Sequence, residues 1–474
     1  MRNYSTKTAG YLLLWAILFA VIPSCNKDDD GNPGNRNING WILDNMSFYY
    51  LWNDRIPAGV NTNLSPTAYF ESLLYRQEDR FSGIWENFIA LQEALSGVVM
   101  EAGYDFGLGR FQNSEQVFGF ITYVKPNSPA ENAGLKRGDH FVSINGYMIT
   151  EYNYSSLIGY MSSAHTLGII DQETETVKTV SLQVTKYEEN PLLLDTIYQI
   201  GDRKVGYFVY NFFARDNGDG SITYEKELNT LFENFKTEGV NELIVDLRYN
   251  GGGTVTTSMA LASMISKCGN TDVFGVTQYN RMLDAALIAE EGANYNREYF
   301  PDNLIRYDEK GDTVEWVPIH QLGMEKVYVI TSNRTASASE LLINSLKPYM
   351  TVVTVGRETY GKNVGSVLIY EKNPEKQKSN TWGMLPIICK FANKLEFSDY
   401  GNGFAPDIAA NEYDWLNILP LGDTQETLLK ATLNHVTGGS TMTGAAVRQP
   451  LTHIGSSADR IPARQNAYIR LRKK

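Results

Sequence analysis

Four nearly continuous apolar runs constrain this chain more than any other feature. They are Val205-Gly206-Tyr207-Phe208-Val209-Tyr210, Leu243-Ile244-Val245-Asp246-Leu247, Val327-Tyr328-Val329-Ile330 and Thr351-Val352-Val353-Thr354-Val355. A strand apolar at almost every position must be covered on both faces, and a largely parallel sheet flanked by helices does this. Leu228, Leu231, Phe232 and Phe235 make one helical stripe between the runs, and Leu341, Leu342 and Leu346 make another. The expected fold class is therefore α/β, with a core over residues 200–437. A helix is expected at about 257–265. Residues 269–322 read as a long irregular stretch with one hairpin turn at Lys310-Gly311-Asp312, of a length that often serves function.

The chain before this core has a different character, so the whole reads as an α+β multidomain protein. Over residues 37–95, Ile38, Trp41, Ile42, Phe48, Tyr49 and Trp52 recur largely at three- and four-residue steps, which predicts a small helical domain. Ser65-Pro66 opens a second helix there, with serine as cap and proline at the first helical position. Residues 96–190 turn to short alternating strands with glycine punctuation and an Asn145-Gly146 turn. Between two of these strands, a short helix is expected to start after Ser128-Pro129 and end at Gly134, and Gly138-Asp139 makes a tight turn. Residues 438–474 are rich in small and polar residues and read as a tail outside the domains.

At the N-terminus, Arg2 and Lys7 precede an apolar run over residues 11–22, too short to span a bilayer comfortably as a helix, so residues 1–24 read as a signal peptide. Ile22-Pro23-Ser24-Cys25 resembles a bacterial lipobox, which implies lipid on Cys25. Residues 25–36, with Asn26-Lys27-Asp28-Asp29-Asp30 and then a Gly/Asn/Pro-rich stretch, have the composition of a flexible tether. The Lys-Asp-Asp run resembles the surface-export signal of Bacteroidetes lipoproteins. The expected location is the cell envelope, lipid-anchored through Cys25, at the outer membrane with exposure at the cell surface. No other membrane association is expected.

Composition removes several classes of function. The formal net charge of −12 would repel phosphate backbones, so nucleic acid is not an expected partner. Five scattered histidines without ligand spacing, and no CxxC or HExxH pattern, call for no metal and no cofactor. Cys268 and Cys389 sit far apart in apolar contexts and read as buried free thiols.

Three segments of the core carry candidate chemistry. Asp246-Leu247-Arg248-Tyr249-Asn250-Gly251-Gly252-Gly253 runs from a strand into a triple-glycine turn, where backbone N–H groups can approach a developing negative charge. No Gly-Lys-Ser/Thr follows, so a phosphate loop does not fit. Thr335-Ala336-Ser337-Ala338-Ser339-Glu340 places serines at a helix N-terminus, a pattern that taken alone reads as helix capping. Thr359-Tyr360-Gly361-Lys362-Asn363-Val364-Gly365 places one lysine between glycines. Desolvated, such a lysine can act as a general base near neutral pH.

Together, these segments resemble the carboxyl-terminal processing, or tail-specific, serine peptidases over roughly residues 41–438. The resemblance implies a core of the crotonase-like type, with Ser337 as nucleophile, Lys362 as general base, and the N–H groups of Gly252 and Ala338 as oxyanion donors. In some members a Gln four residues after the lysine orients it; here Ser366 stands at that position. Asp79-Arg80-Phe81-Ser82 and Gly403-Phe404-Ala405-Pro406-Asp407 also look like family landmarks of a structural kind. The run from Pro126 to Asp139 resembles a PDZ domain, and Phe106, Gly107, Leu108 and Gly109 resemble the glycine loop that binds a peptide's terminal carboxylate. The implied activity is a serine endopeptidase acting on extracytoplasmic proteins or peptides through an acyl-enzyme, with PDZ-like recognition of peptide C-termini. The alternative on the same fold is a non-catalytic peptide- or ligand-binding surface lipoprotein.

Overall fold

The computed structural model describes residues 33–111, 114–171, 174–308, 310–412, 418–439 and 451–457. The four apolar runs lie in one six-stranded sheet, ordered Leu192–Ile200, Arg203–Tyr210, Glu242–Asp246, Lys326–Thr331, Thr351–Gly356 and Ile408–Ala409. The first two strands are antiparallel and every later neighbour is parallel. Because side chains alternate between faces, each strand feeds two cores. Val205, Tyr207, Val209, Ile244, Tyr328 and Ile330 pack on one face with Leu428, Leu429 and Leu433 of the helix Thr427–Val436. Phe208, Tyr210, Val245 and Val329 pack on the other with the helices Thr223–Glu238, Val255–Ile265 and Ala338–Leu346.

The sheet begins at Leu192, eight residues before the expected start of the core. This edge strand is only half-buried along its length, so it lacks the continuous apolar signature of the inner strands.

Residues 269–322 are not irregular. They hold the strand Val273–Tyr279, the helix Arg281–Glu291 and the hairpin Asn303–Tyr307 with Thr313–Pro318, which turns through Gly311 at φ 87°. The helix and the hairpin strands are short and largely exposed on one side, which dilutes their periodicity, while Val273–Tyr279 is buried over Phe274–Thr277. Asn280 caps the helix, its Oδ1 accepting from the N–H groups of Met282 and Leu283. Its Nδ2 also donates to the carbonyls of Phe48 and Tyr50, both at 2.9 Å, tying this region to the N-terminal helix.

That N-terminal helix runs Pro33–Tyr49, starting inside the stretch expected to be a tether. Ile42, Met46 and Tyr50 join Tyr69, Phe70 and Leu73 in the same apolar cluster as the central sheet. The N-terminal segment therefore shares the peptidase core rather than enclosing one of its own.

A second sheet is ordered Leu451–Ser456, Tyr104–Phe111, Val117–Val124, His140–Ile144, His165–Ile170 and Val177–Leu182, with Tyr147–Met148 also paired to His140–Ile144. Its separate core includes Phe106, Leu108, Ile121, Phe141, Leu157 and Leu167. The short helix forms at Pro129–Asn132, with Ser128 Oγ accepting from Glu131 N–H at 3.2 Å. Gly134 follows at φ 82°, and Asn145 and Gly146 make the expected turn at φ 51° and 79°.

Two expectations for this unit are corrected. Phe106, Gly107, Leu108 and Gly109 form the middle of a strand rather than a loop, paired with Ile121, Phe120, Gly119 and Phe118. The glycines are there because rings cross them: a Cβ on Gly107 would lie 2.1 Å from the Phe120 ring, and one on Gly109 3.2 Å from Phe118. Further, the C-terminal tail is not wholly outside the domains, since Leu451–Ser456 is the outer strand of this sheet. Its small polar residues supply backbone hydrogen bonds rather than apolar area, which composition does not reveal.

Cys268 and Cys389 are buried free thiols. Among the described residues, no helix is long and apolar enough to cross a membrane. Cys25 lies outside the described residues.

Candidate active site

The three chemical segments converge at the ends of the central strands. The turn after Glu242–Asp246 is locked by a buried charge cluster. The Arg248 guanidinium donates to Asp246 at 2.8–3.0 Å and to Glu426 at 2.7 and 3.0 Å, and it reaches Glu412 at 3.3 Å. Arg137, from the glycine-punctuated unit, joins the same carboxylates at 3.0 Å to Glu412 and 3.6 Å to Glu426. Tyr249 hydrogen bonds to Glu412 and stacks on Tyr123 with ring centroids 5.4 Å apart. Removing Arg248 would leave the buried Asp246 carboxylate without its cation, at a cost of about 3–5 kcal/mol, so the cluster fixes both this turn and the domain contact.

The serine segment is stitched onto that turn. Thr335 Oγ1 donates to Leu247 O at 2.8 Å, Ala336 N–H to Asn250 O at 3.1 Å, and Ser339 Oγ to the same carbonyl at 3.1 Å. Ser337 ends the segment as the N-cap of Ala338–Leu346, at φ 64° and ψ −114°. Such a conformation in a non-glycine residue costs on the order of 1–3 kcal/mol and persists only where its surroundings impose it. Gly252, at φ 111°, lies directly against it: a Cβ there would sit 2.7 Å from Ser337 Cβ and 3.1 Å from Ala338 N.

Glu340 holds the serine and lysine segments together. Its Oε2 accepts from Ser337 N–H at 2.9 Å and from Lys362 N–H at 2.8 Å. Its Oε1 accepts from Gly361 N–H at 2.7 Å and Thr359 Oγ1 at 2.6 Å. Burial raises the Glu340 pKa, while these donors oppose the rise. Tyr360 N–H donates to Thr335 O at 2.9 Å, a further link between the same segments.

Lys362 is 1% exposed, and burial pulls its ammonium down from 10.5 to about 7 against the upward pull of Asp79 and Glu340. Its Nζ lies 4.9 Å from the centre of the Phe81 ring. Asp79 sets that ring in place, its Oδ1 accepting from the N–H groups of Phe81 and Ser82, both at 2.9 Å. Arg80 donates to the carbonyls of Gly361 and Gly401 at 2.9 and 3.1 Å. The Cys389 thiol is pushed well up by burial, so it faces the lysine uncharged.

Glu340 thus brings the backbone of Ser337 and Lys362 together, and Gly252 lies against Ser337 and Ala338. Ala338 is the first residue of its helix and precedes the first bond of that helix, from Leu341 N–H to Ser337 O at 2.8 Å, so its N–H belongs to the terminal donors. For Gly252 the expectation needs correction. Its single N–H donates to Asn250 Oδ1 at 2.9 Å, so it is engaged within the turn and reaches an oxyanion only once that bond lengthens. Ser366 is buried on the strand Val364–Ser366, opposite Ile387. Phe106, Gly107, Leu108 and Gly109 lie in the second sheet, not in the sheet whose strand ends carry the serine and lysine segments.

Sequence reasoning passed over Glu340, although its place three residues after Ser337 is the spacing at which a side chain reaches back to a helix-cap N–H. It also left Asp79, Arg80 and Phe81 as distant landmarks, and no local pattern connects them to a lysine far along the chain.

Comparison with known proteins agrees with this geometry. Residues 204–374 match Peptidase family S41, residues 37–83 the Peptidase S41 N-terminal domain, and residues 120–167 a PDZ domain. The chain is 25% identical over 326 residues to a carboxyl-terminal-processing protease of Picosynechococcus sp., covering 68% of this chain and 67% of that protein. It is 23% identical over 285 residues to the chloroplastic C-terminal processing peptidase of Tetradesmus obliquus, covering 57% of this chain and about half, 52%, of that protein. A putative S41 protease from Bacteroides fragilis superposes with a TM-score of 0.65 at 27% identity, covering 88% of this chain and 99% of the other. With the strained serine, the desolvated lysine and the PDZ sheet on one chain, the protein belongs to peptidase family S41, the carboxyl-terminal processing serine peptidases.

Proposed function

We propose that this chain is an endopeptidase that cleaves extracytoplasmic proteins or peptides through an acyl-enzyme on Ser337. The observation that carries the reading is the state of Lys362: burial brings its ammonium to about 7, so a neutral amine is available at physiological pH. In this reading Lys362 takes the Ser337 proton and Ser337 Oγ attacks the scissile carbonyl. The tetrahedral oxyanion is held by Ala338 N–H, joined by Gly252 N–H as Asn250 releases it. Lys362 then protonates the leaving amine, and water, deprotonated by the same lysine, releases the acyl group. In this reading extended peptide C-termini add to the outer edge of Tyr104–Phe111 in the PDZ sheet, the edge that Leu451–Ser456 occupies here.

The proposed location is the outer membrane, facing the cell surface, with lipid on Cys25. The lipobox-like Ile22-Pro23-Ser24-Cys25 and the polar stretch after it support this. Metabolic labelling with a palmitate analogue should be lost in Cys25→Ala.

A serine-reactive phosphonate probe tests the catalytic reading. Labelling is expected in the native chain and absent in Ser337→Ala and Lys362→Ala; equal labelling of all three would favour a non-catalytic binding protein. Mass-spectrometric mapping of products from a proteome-derived peptide library then reads whether cleavage falls within chains.

A further inference from the structure

The strand Tyr104–Phe111 has two edges, and both are occupied. One pairs with Val117–Val124. The other pairs antiparallel with Leu451–Ser456: Leu451 lies opposite Phe111, Thr452 opposite Arg110, His453 opposite Gly109, Gly455 opposite Leu108 and Ser456 opposite Gly107. Just beyond, Phe106 N–H donates to Ser457 Oγ at 3.3 Å, and the Ser457 hydroxyl hydrogen bonds to the Asp105 carboxylate.

Three observations mark this outer strand as an occupant of the sheet rather than a part of its framework. First, the sheet's core closes without it. Every fully buried member of that core comes from residues 102–182, and among the described side chains of the outer strand only Ile454 packs against it, partly buried. Second, its direction brings its C-terminal end to Phe106 and Gly107, so that Ser457 Oγ takes the N–H that a terminal carboxylate of an added strand would meet. Third, five of the seven residues in Leu451-Thr452-His453-Ile454-Gly455-Ser456-Ser457 are small or polar, so backbone hydrogen bonds that any extended peptide could replace hold most of it.

We propose that residues 451–457 are an intramolecular ligand of the PDZ groove, and that a peptide with an extended C-terminus must displace them to bind there. The proposal rests on the reading of this groove as the peptide site. A tethered ligand competes at an effective concentration of roughly millimolar, so it weakens an incoming peptide without excluding it. The occupied end is also joined to the catalytic unit. Asp105 lies in the field of Arg334, whose guanidinium sits 5.2 Å from the Tyr249 ring, three residues before the nucleophile.

The test uses the full chain carrying Ser337→Ala, so that no probe is cleaved. Two fluorescein-labelled synthetic peptides are titrated by anisotropy: the amidated heptapeptide Leu-Thr-His-Ile-Gly-Ser-Ser, and an apolar-ended heptapeptide with a free carboxylate. The parent is compared with Ile454→Asp, which charges the position packed against the core, and with Thr452→Pro, which stiffens the segment and removes one N–H. Near-UV circular dichroism confirms the fold of both. Both variants are expected to bind both peptides at least about tenfold more tightly than the parent, with faster hydrogen exchange at Leu108 and Arg110. Equal binding of both peptides by parent and variants would overturn the intramolecular ligand and leave the peptide groove standing. Tighter binding of the amidated peptide alone would support the intramolecular ligand and remove terminal-carboxylate recognition. Binding of neither peptide by either variant would overturn both readings.

Discussion

The backbone N–H groups of Ser337 and Lys362 donate to the same atom, Oε2 of Glu340, at 2.9 and 2.8 Å. One carboxylate oxygen therefore sets the spacing between the turn that presents Ser337 and the turn that presents Lys362. The other oxygen secures Gly361 and Thr359, so the lysine loop is held at three points by one side chain.

Removing that carboxylate should separate the two turns. Glu340→Ala leaves buried N–H donors without an acceptor, at about 1–3 kcal/mol each, so a loss of several kcal/mol is expected in urea unfolding. Phosphonate labelling of Ser337 should fall by roughly two orders of magnitude. Glu340→Gln keeps one acceptor oxygen and should fall between the alanine variant and the native chain. Native labelling rates in Glu340→Ala would show that the shared oxygen does not position the pair.

Activity should depend on pH through Lys362. Burial lowers its pKa to about 7, so the amine is neutral above that value and protonated below it. Accordingly kcat/KM should reach a plateau above about pH 7 and decline about tenfold per unit on the acid side. Lys362→Arg, which stays charged, should be inactive across the range. A limb centred near 10 in the native enzyme would remove Lys362 as the base.

The Phe81 ring, 4.9 Å from Lys362 Nζ, is part of what keeps water from the amine. In Phe81→Ala, water gains access, desolvation weakens and the lysine pKa moves back toward 10.5. The acid limb of kcat/KM should shift upward by about one unit, while Phe81→Leu, which still covers the amine, should shift less. Superimposable profiles for all three enzymes would assign the desolvation to other residues.

Gly252→Ala tests the contact between the glycine turn and the nucleophile. The added methyl would lie 2.7 Å from Ser337 Cβ, and the φ of 111° disfavours any side chain. The variant should lose about 1–3 kcal/mol of stability from backbone strain, and about a hundredfold or more in kcat from the displaced oxyanion donors. Unchanged kcat would mean that the turn can move away from Ser337 without cost to the reaction.

Patterns that repeat over short distances were legible before the structure. The inner strands of the core announce themselves because burial on both faces demands apolar residues at nearly every position, and Ser128-Pro129 and Asn145-Gly146 encode their cap and turn locally. Elements half-exposed to water were not. Leu192–Ile200 and the hairpin strands and helix within residues 269–322 mix polar and apolar residues, so their faces show only when packed. The outer strand Leu451–Ser456 has no compositional signal, because the edge of Tyr104–Phe111 recruits it through backbone groups that every residue carries.

The division is the same at the active site. The amino-acid sequence alone singled out Ser337, Lys362 and the glycine turn, since they stand in short motifs whose residue types the proposed reaction requires. Only the tertiary structure decided how they are made competent. The Phe81 ring covers part of the buried Lys362 amine, the spacing of its loop from Ser337 comes from Glu340, and the N–H of Gly252 is held by Asn250. Burial and shared hydrogen bonds are properties of contacts between distant segments, and no local run of residues contains them.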